Sequence, residues 1–409
     1  MLAARLQELN QTLSLSNRTP NPQFPAYSSA DITASDVFTA LITQLAGTLT
    51  QFQGSSAAPV SKVPEISEET STDYSEFPGA RRRKIRYGPY RVPSNTENNL
   101  ESKVLGEKGL KNSMKFYAKK PCEGNCMLLK MEASMEYDDG NHADTSTGAW
   151  FHHAVLVNVG KTVKDPICGW KYMENVFMSS KERNPALFTQ ARHSVKTGYH
   201  VVPEDQFVLM TELMNMEDKE KWLWVTLTYD FLDGDHPEYK DGKVIWQYLG
   251  RNSCGNETRN PFGATNLTEY RQPTRAAFGE HSYPWEIPYD AELLGSNGHM
   301  HDGARNMEIF HNEKMICTSI PTYSNKTTAG SMGSPSDTGG AAMRHSHGKR
   351  DIPLKGGNYT NTEIPHIARQ IPCIFDPPVK VMKGDKMYLI ANYDFDQHPG
   401  MQNEKGELE

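Results

Sequence analysis

The stretch "MLLKMEASMEY" (residues 127–137) decides the fold class, because apolar and polar residues alternate along it. Successive side chains of a β-strand point to opposite faces, so this alternation predicts a half-buried strand. The apolar face is predicted to carry Leu129, Met131, Ala133, Met135 and Tyr137. The polar face is predicted to carry Lys130, Glu132, Ser134 and Glu136.

Other segments of the chain have the same strand-like composition and are separated by Gly, Pro and Asp turns. They are "WFHHAVLVNVG" (150–160), "QFVLMTELMNM" (206–216), "KWLWVTLTYDFLDG" (221–234), "KVIWQYLG" (243–250), the hairpin-like "NMEIFHNEKMICTS" (306–319) and "VKVMKGDKMYLIANYDFD" (379–396). Many short strands and few helical windows predict an all-β fold of two tandem antiparallel β-sandwich domains of the jelly-roll type. A faint internal repeat, a polar turn with Asp before an alternating strand at 201–213 and 381–393, points to two similarly built domains.

The N-terminal part of the chain differs in composition. Residues 1–84 are predicted to form one amphipathic helix within 31–52, followed by a disordered linker rich in Ser, Glu and Pro. This linker ends at the basic run "RRRK" (81–84), which we interpret as a solvated segment or a processing site. The two predicted sandwiches span 85–255 and 256–409, and the second carries a Gly/Ser-rich insertion at 325–357.

The bulk composition excludes some classes of partner and favours one compartment. A net charge of −7 over 409 residues offers no field for nucleic acid. No apolar stretch reaches the ~18 residues that a membrane span needs, and the N-terminus lacks the apolar core of a signal peptide. The six cysteines do not form paired C-x-x-C knuckles, so disulfides are predicted, with their connectivity left open. Six N-x-S/T sequons add to the expectation of a secreted glycoprotein or a protein of the secretory-pathway lumen.

Two histidine pairs are the candidate functional residues. His299 and His301 stand one residue apart in "LGSNGHMHDG" (294–303). On a strand, residues i and i+2 lie about 6.6 Å apart on one side, so both imidazoles can bind one metal ion while Met300 faces the other way. His152 and His153 are adjacent, and neighbours on a regular strand face opposite ways. They can share an ion only if a β-bulge turns one of them.

The available side chains favour some metals over others. Imidazole suits copper, zinc and iron, and a thioether from one of the 18 methionines would favour copper. A cupin site fits poorly, because Glu308 stands too far beyond His301, and the H-E-x-x-H zinc motif is absent. Zinc held by the H-x-H pair and a distant third histidine stays open. The chain has no P-loop, dinucleotide fingerprint or G-x-S-x-G motif.

Adjacent histidines in an early strand, followed in a second sandwich by H-x-H, resemble the copper type II ascorbate-dependent monooxygenases. Peptidylglycine α-hydroxylating monooxygenase and dopamine β-monooxygenase are members of that family, and "FHHAVLVNVG" and "GHMHDG" look closer still to secreted fungal proteins of this architecture. The resemblance covers about residues 85–400. It implies two coppers across a solvent-filled cleft, with ascorbate as the electron donor for hydroxylation of a C–H bond.

The resemblance also implies a role for each pair. His152 and His153 match the pair that holds the electron-transfer copper, and His299 and His301 match two ligands of the oxygen-binding copper.

The remaining ligands of the family do not transfer directly. The strand that should supply a third histidine to the first site, "VLMTELMNM", has none, and His200 lies a few residues upstream of it. In the second site His366 stands near the region where the family places its methionine, and Met387 and Met401 are other candidates. A three-histidine site completed by His366 and a site of two histidines and one methionine both stay open.

Three functions follow as hypotheses. The first is a secreted copper-binding protein, with one or two coppers and a monooxygenase-like activity on an unknown small-molecule or peptide substrate. The second is a non-catalytic metal-binding or cell-surface interaction protein that keeps the double sandwich. The third is a mononuclear zinc or iron enzyme on the same scaffold. Metal content separates the three.

Overall fold

Strands dominate the part of the chain that the computed structural model describes, which is residues 57–74, 76–99, 101–102, 108–160, 163–169, 171–190, 195–247, 249, 276–324 and 365–400. The strands are β1 (Ile66–Thr70), β2 (Arg81–Val92), β3 (Leu110–Ala118), β4 (Cys126–Glu136), β5 (Ala149–Asn158), β6 (Glu174–Ser180), β7 (Ala186–Leu187), β8 (Thr197–Val201), β9 (Phe207–Asn215), β10 (Lys221–Asp233), β11 (Lys240–Asp241), β12 (Ala277–His281), β13 (Trp285–Glu286), β14 (Ala291–Ser296), β15 (Ala304–His311), β16 (Lys314–Ser319), β17 (Pro321–Ser324), β18 (His366–Gln370), β19 (Cys373–Val381) and β20 (Lys386–Asp394). A 3-10 turn spans Thr145–Thr147. The predicted all-β class is confirmed.

The earlier strands form two sheets around one hydrophobic core. A seven-stranded sheet runs in the order β1-β2-β10-β4-β8-β11, with β7 beside β4, and a four-stranded sheet runs β3-β9-β5-β6. Their pairings are antiparallel except for the short contact of β11 with β8. The first core lies between the sheets and includes Leu128, Phe151, Leu209 and Leu227. Two sheets that share a core in this way form a β-sandwich.

The later strands surround a second hydrophobic core. A five-stranded sheet runs β12-β20-β15-β16, with β13 beside β20, and two-stranded ladders join β14 to β19 and β17 to β18. The second core draws on several of these strands and includes Leu293, Ile309, Phe375 and Leu389. The predicted hairpin forms β15 and β16, and Asn312 and Glu313 at its tip have the positive φ angles of a tight hairpin turn.

The predicted strand "KVIWQYLG" is wrong, because the described residues 242–247 contain no strand. The segment instead connects the two cores. Val244 packs against the first core, whereas Ile245 packs against the second core and Leu249 is part of it. Its apolar residues are therefore divided between the two hydrophobic cores. The described residues of the segment consequently do not pair with a neighbouring strand.

The stretch predicted as a disordered linker is ordered over its described residues. Strand β1 pairs with β2, and a small apolar cluster forms from Tyr74, Phe77, Ala80, Met127, Leu129 and Leu232. The basic run "RRRK" begins β2, which pairs with β1 on one side and β10 on the other. Arg82 contacts Asp230 at 2.8 Å, and Lys84 contacts Glu136 at 2.7 Å. These ion pairs explain the charge of the run, and cleavage after it would cut a paired strand.

A β-bulge changes the predicted faces of the opening stretch. Strand β4 forms as expected, but its register against β10 shifts so that Lys130 faces Asp230 and Leu128 faces Phe231, which leaves Leu129 as the extra residue. Leu129 consequently packs with the small N-terminal cluster instead of the first core, whereas Met131, Ala133 and Met135 do face that core. A bulge depends on the partner strand, and alternation within one segment cannot show it.

The two segments of the faint internal repeat, 201–213 and 381–393, contain the same kind of turn. The backbone N–H of Val202 donates to the Asp205 carboxylate at 2.9 Å, and that of Met382 donates to Asp385 at 2.8 Å. Each turn leads into a strand, β9 or β20, at the centre of its sheet. The proposed division into two domains stays a prediction, because the boundary at 255/256 lies outside the described residues.

Disulfides are present as predicted. Cys122 is bonded to Cys126 and Cys317 to Cys373, and Cys168 is also disulfide-bonded. No helix in the described ranges is long and apolar enough to cross a membrane. The predicted helix within 31–52, the insertion at 325–357 and all six sequons lie outside the described residues.

Candidate metal centre

The four-stranded sheet brings His152 and His153 together through a bulge in β5. Phe151 lies opposite Leu213 of β9 and His153 lies opposite Glu212, so His152 is the extra residue. The two imidazole centroids are 4.2 Å apart. The bulge thus supplies the condition under which adjacent histidines can serve one site.

The second pair lies in the segment between β14 and β15 and not on a strand. The alternation predicted for it still holds, because Met300 is buried in the second core between His299 and His301. Gly303 ends the segment with a φ of 96°, and a side chain there would collide with the ring of Phe395. This glycine allows the chain to turn from the histidines into β15.

The two pairs meet each other. His153 Nε2 and His299 Nε2 are 3.2 Å apart. The ligand atoms of His153, His299 and His301 all lie within 4.8 Å of one another. The His152 ring is 6.4 Å from that of His301 between centroids. The resemblance to the ascorbate-dependent monooxygenases implied two sites separated by a cleft, whereas here the pairs form one four-histidine cluster.

Carboxylates lie close to the Nδ1 atoms of three of these rings. Glu212 Oε2 is 2.7 Å from His153 Nδ1 and 3.2 Å from His152 Nδ1. Glu182 Oε1, in the turn after β6, is 2.9 Å from His299 Nδ1. A carboxylate accepts, so the Nδ1 atoms of His153 and His299 donate, as in metal sites where a carboxylate orients a histidine ligand. The Nε2 atoms of His153 and His299 are then the ones directed at each other.

The pKa values agree with ionised carboxylates beside a neutral ring. Burial acts to raise the pKa of Glu212, but the adjacent His152 and His153 outweigh it and lower that pKa well below its usual value. Burial likewise opposes the lowering of the Glu182 pKa, which His299 causes. Burial, reinforced by His152 and His299, lowers the pKa of His153 to about 4 although Glu212 opposes the shift.

The close approach of His153 Nε2 and His299 Nε2 is compatible with a shared proton or with a metal ion between them. Two imidazole lone pairs that face each other at 3.2 Å repel unless a proton or a metal ion lies between them. Two nitrogen ligands, each about 2.0 Å from an ion, lie about 2.8 Å apart at a right angle and about 3.3 Å apart at the tetrahedral angle. The observed separation falls between these values, and His301 is placed to supply a third donor.

His366 lies beside this cluster and not among its converging ligand atoms. It begins β18, and its Nδ1 contacts the carboxylate of Asp302, which also accepts from the backbone N–H of Ile367 at 2.8 Å. Its ring lies 4.8 Å from that of Trp150 between centroids, and the Trp150 ring lies 6.1 Å from that of His152. The buried Nε2 of His366 has no hydrogen-bond partner among the described residues. Its role as a metal ligand stays a prediction.

A buried lysine, Lys181, lies beside the histidine cluster on the side of Trp150. Lys181 is 6% exposed, its Nζ lies 4.8 Å from the centroid of the Trp150 ring, and it has no hydrogen-bond partner among the described residues. Burial lowers the pKa of Lys181 to about 8, against the opposing influence of Asp302 and Glu182. A buried amino group therefore lies against the Trp150 ring beside the centre.

The other suggested ligands lie elsewhere or outside the described residues. His200 is on β8 in the seven-stranded sheet, opposite Met127. Met387 is on β20, opposite His311 and buried in the second core. Met401 is outside the described residues. The strand expected to bring a third histidine to the first pair brings Glu212 instead.

Sequence reasoning missed the carboxylates Glu182, Glu212 and Asp302. Glu212 did leave a signal, because it is an isolated charge within the apolar strand "FVLMTELMN". An ionised group in such a strand needs a partner when it is buried. Glu182 and Asp302 lie in turns, where carboxylates are common, so their sequence context gave no comparable signal.

Two curated proteins are similar to this chain over most of its length. Probable copper-dependent oxygenase M1 of Phoma sp. is 31% identical over 330 residues, which cover 80% of this chain and 70% of that protein. The chain belongs to this family of copper-dependent oxygenases. Probable copper-dependent oxygenase clz3 of Cochliobolus lunatus is 30% identical over 280 residues, covering 68% of this chain and 74% of that relative. No protein-family model matches the chain.

The donor set fits the metal of the copper-dependent oxygenases. Imidazole nitrogen is a ligand that copper favours, and three imidazoles converge here. The carboxylates contact Nδ1 atoms, which leaves Nε2 of His153 and His299 directed at the common point. The cysteines of the described residues are all disulfide-bonded, so they contribute no thiolate.

Proposed function

We propose that the chain is a secreted copper-dependent oxygenase with one metal centre assembled from both histidine pairs. The observation that carries this proposal is the convergence of His153, His299 and His301, with His153 Nε2 and His299 Nε2 3.2 Å apart. Family membership supports copper as the metal. Disulfide bonds support an oxidising compartment such as the secretory pathway.

The residues of the chain would hold the metal in a fixed orientation. Glu212 keeps a proton on His153 Nδ1, and Glu182 keeps one on His299 Nδ1, so that both Nε2 atoms present lone pairs. Ser180 Oγ lies 3.2 Å from His299 Nδ1 and further fixes that ring. Bound copper would supply the one-electron chemistry that activates oxygen for hydroxylation of a C–H bond, with ascorbate as the reductant.

Copper titration of the full chain tests this proposal, together with oxygen consumption in the presence of ascorbate. We expect one copper per chain and ascorbate-dependent oxygen consumption. His299→Ala removes one of the converging ligands and should abolish both tight copper binding and oxygen consumption. His236→Ala is the matched control, since His236 lies in a loop where it contacts Glu238. That variant should behave like the parent.

Three outcomes would contradict the proposal. Equal copper affinity in His299→Ala and the parent would show that His299 is not a ligand. Preferential retention of zinc or iron would favour a mononuclear enzyme of that metal. Copper binding without oxygen consumption would favour a non-catalytic metal-binding protein.

A further inference from the structure

The four-stranded sheet has one face on the first core and an outer face that carries the histidine pair. Ala154, Leu156 and Leu209 face the core. His153 and Glu212 point to the other side, because neighbours along a strand alternate. One continuous row crosses the outer face through the pairing of all four strands: Asn112 of β3, Glu212 of β9, His153 of β5 and Ser180 of β6.

The next row on this outer face is apolar and contains three methionines. It crosses the same four strands through Met114, Met210, Val155 and Met178, which lie opposite one another in that order. Every one of these four side chains is half-buried. We call these four residues the thioether row. It lies two residues along each strand from the histidine row, a distance of about 6.6 Å.

The next row beyond the thioether row is also apolar, but its residues are buried. Val157 and Val208 lie opposite each other and are 6% and 8% exposed. The outer face of an antiparallel sheet is usually polar where it meets water. Two successive apolar rows on this face therefore indicate a surface that contacts another group. Of the two rows, only the thioether row, next to the histidines, is partly exposed to solvent.

We propose that the thioether row binds an alkyl chain of the substrate and thereby places one of its C–H groups at the candidate metal centre. This inference rests on the proposed function. The row has no charged side chain, so it selects hydrocarbon and not an ionic group. Methionine is unbranched and flexible, which suits it to the varied conformations of an alkyl chain. Because the thioether row adjoins the histidine row, an alkyl chain bound there lies beside the proposed metal ligands.

Calorimetric titration of the copper-loaded full chain with n-butanol, n-hexanol and n-octanol tests the inference. Each methylene that leaves water is worth about 0.8 kcal/mol, or a factor of about four in Kd. We expect Kd to fall along the series by about that factor per methylene. Met210→Gln and the near-isosteric Val155→Thr should each raise the Kd of n-octanol by about fivefold, because they replace apolar contact with a polar group. Circular dichroism would confirm that both variants fold.

The matched control is Met382→Gln in the turn before β20, where Met382 is 56% exposed. It should bind n-octanol like the parent. A Kd that does not depend on chain length would overturn the inference, as would equal losses in the control and the row variants. The copper titration of the parent is a separate measurement. Alkanol binding without copper binding refutes the proposed function, and copper-dependent oxygen consumption without alkanol binding refutes only the role of the thioether row.

Discussion

Glu212 contacts both members of the adjacent histidine pair. It comes from β9, the strand beside the one that carries the histidines, so the orientation of the pair depends on a contact between strands. Removal of its charge should leave His153 with a weaker, uncharged acceptor for its Nδ1 proton. Loss of such an orienting group usually weakens metal binding by about 10- to 100-fold.

We therefore expect Glu212→Gln to lower copper affinity by a factor of about 10 to 100, measured by competition with a copper chelator. Glu204→Gln is the matched control, since Glu204 is exposed in the turn before the same strand. It should bind copper like the parent. An unchanged affinity in Glu212→Gln would mean that this carboxylate does not orient the ligand.

The residues of the centre were only partly predictable. The four histidines could be named from the sequence because their spacing in each pair is informative. The carboxylates Glu182 and Asp302 could not, because acidic residues are frequent in turns and carry no spacing. The contact between His153 and His299 joins residues far apart in the chain, and no local pattern encodes it.

Among the individual elements, the turn between β19 and β20 is held by the carboxylate of Asp385. It accepts from Asn312 Nδ2 at 2.6 Å, from the backbone N–H of Met382 at 2.8 Å and from His311 Nε2 at 2.7 Å. These bonds, that from Asn312 foremost, lower the pKa of Asp385 from 3.8 to about 2. They join the turn to the tip of the β15–β16 hairpin.

The pH dependence of stability follows from this lowered pKa. A carboxyl group with a lower pKa in the folded state stabilises above its unfolded pKa, and the contribution is lost as pH falls through the folded value. We expect the stability difference between the parent and Asp385→Asn to be nearly full above about pH 4 and to decline as pH falls through about 2. Thermal unfolding as a function of pH measures it. Asp218→Asn, in an exposed turn, is the control, and a stability difference for Asp385→Asn that does not change between about pH 4 and pH 2 would contradict the assignment.

Elements with a regular period were the most predictable. The hairpin about Asn312 and the strand after Asp205 formed where the alternation placed them. The failure at 243–250 has a physical cause, because its apolar residues are divided between two cores. The bulges at Leu129 and His152 depend on the pairing with neighbouring strands, so neither could be located from the sequence of one strand alone. A shared metal site for His152 and His153 did require a bulge.

The disulfides act on the stability of the whole molecule to different extents. Cys122 and Cys126 close a loop with a sequence separation of 4, whereas Cys317 and Cys373 close one with a separation of 56. A disulfide stabilises mainly by restricting the unfolded chain, and the effect grows with the loop. The second bond also joins β16 of the five-stranded sheet to β19 of a separate ladder.

Replacement of both cysteines of each bond by alanine should therefore have unequal effects. We expect a loss of about 4 kcal/mol for the Cys317–Cys373 pair and about 2 kcal/mol for the Cys122–Cys126 pair, measured by denaturant unfolding. Each variant serves as the control for the other. An equal or reversed order would show that strain or residual structure outweighs the loop entropy.

The contact between His153 and His299 joins side chains that are 146 positions apart. A ribosome completes β5 before it reaches the H-x-H segment, so the nascent polypeptide carries the first pair without its counterpart while those 146 residues are added. The complete cluster exists only once both cores have formed and docked. Under the proposed function, copper would bind only after this docking, and a truncated translation product that ends before Gly298 would lack the second histidine pair.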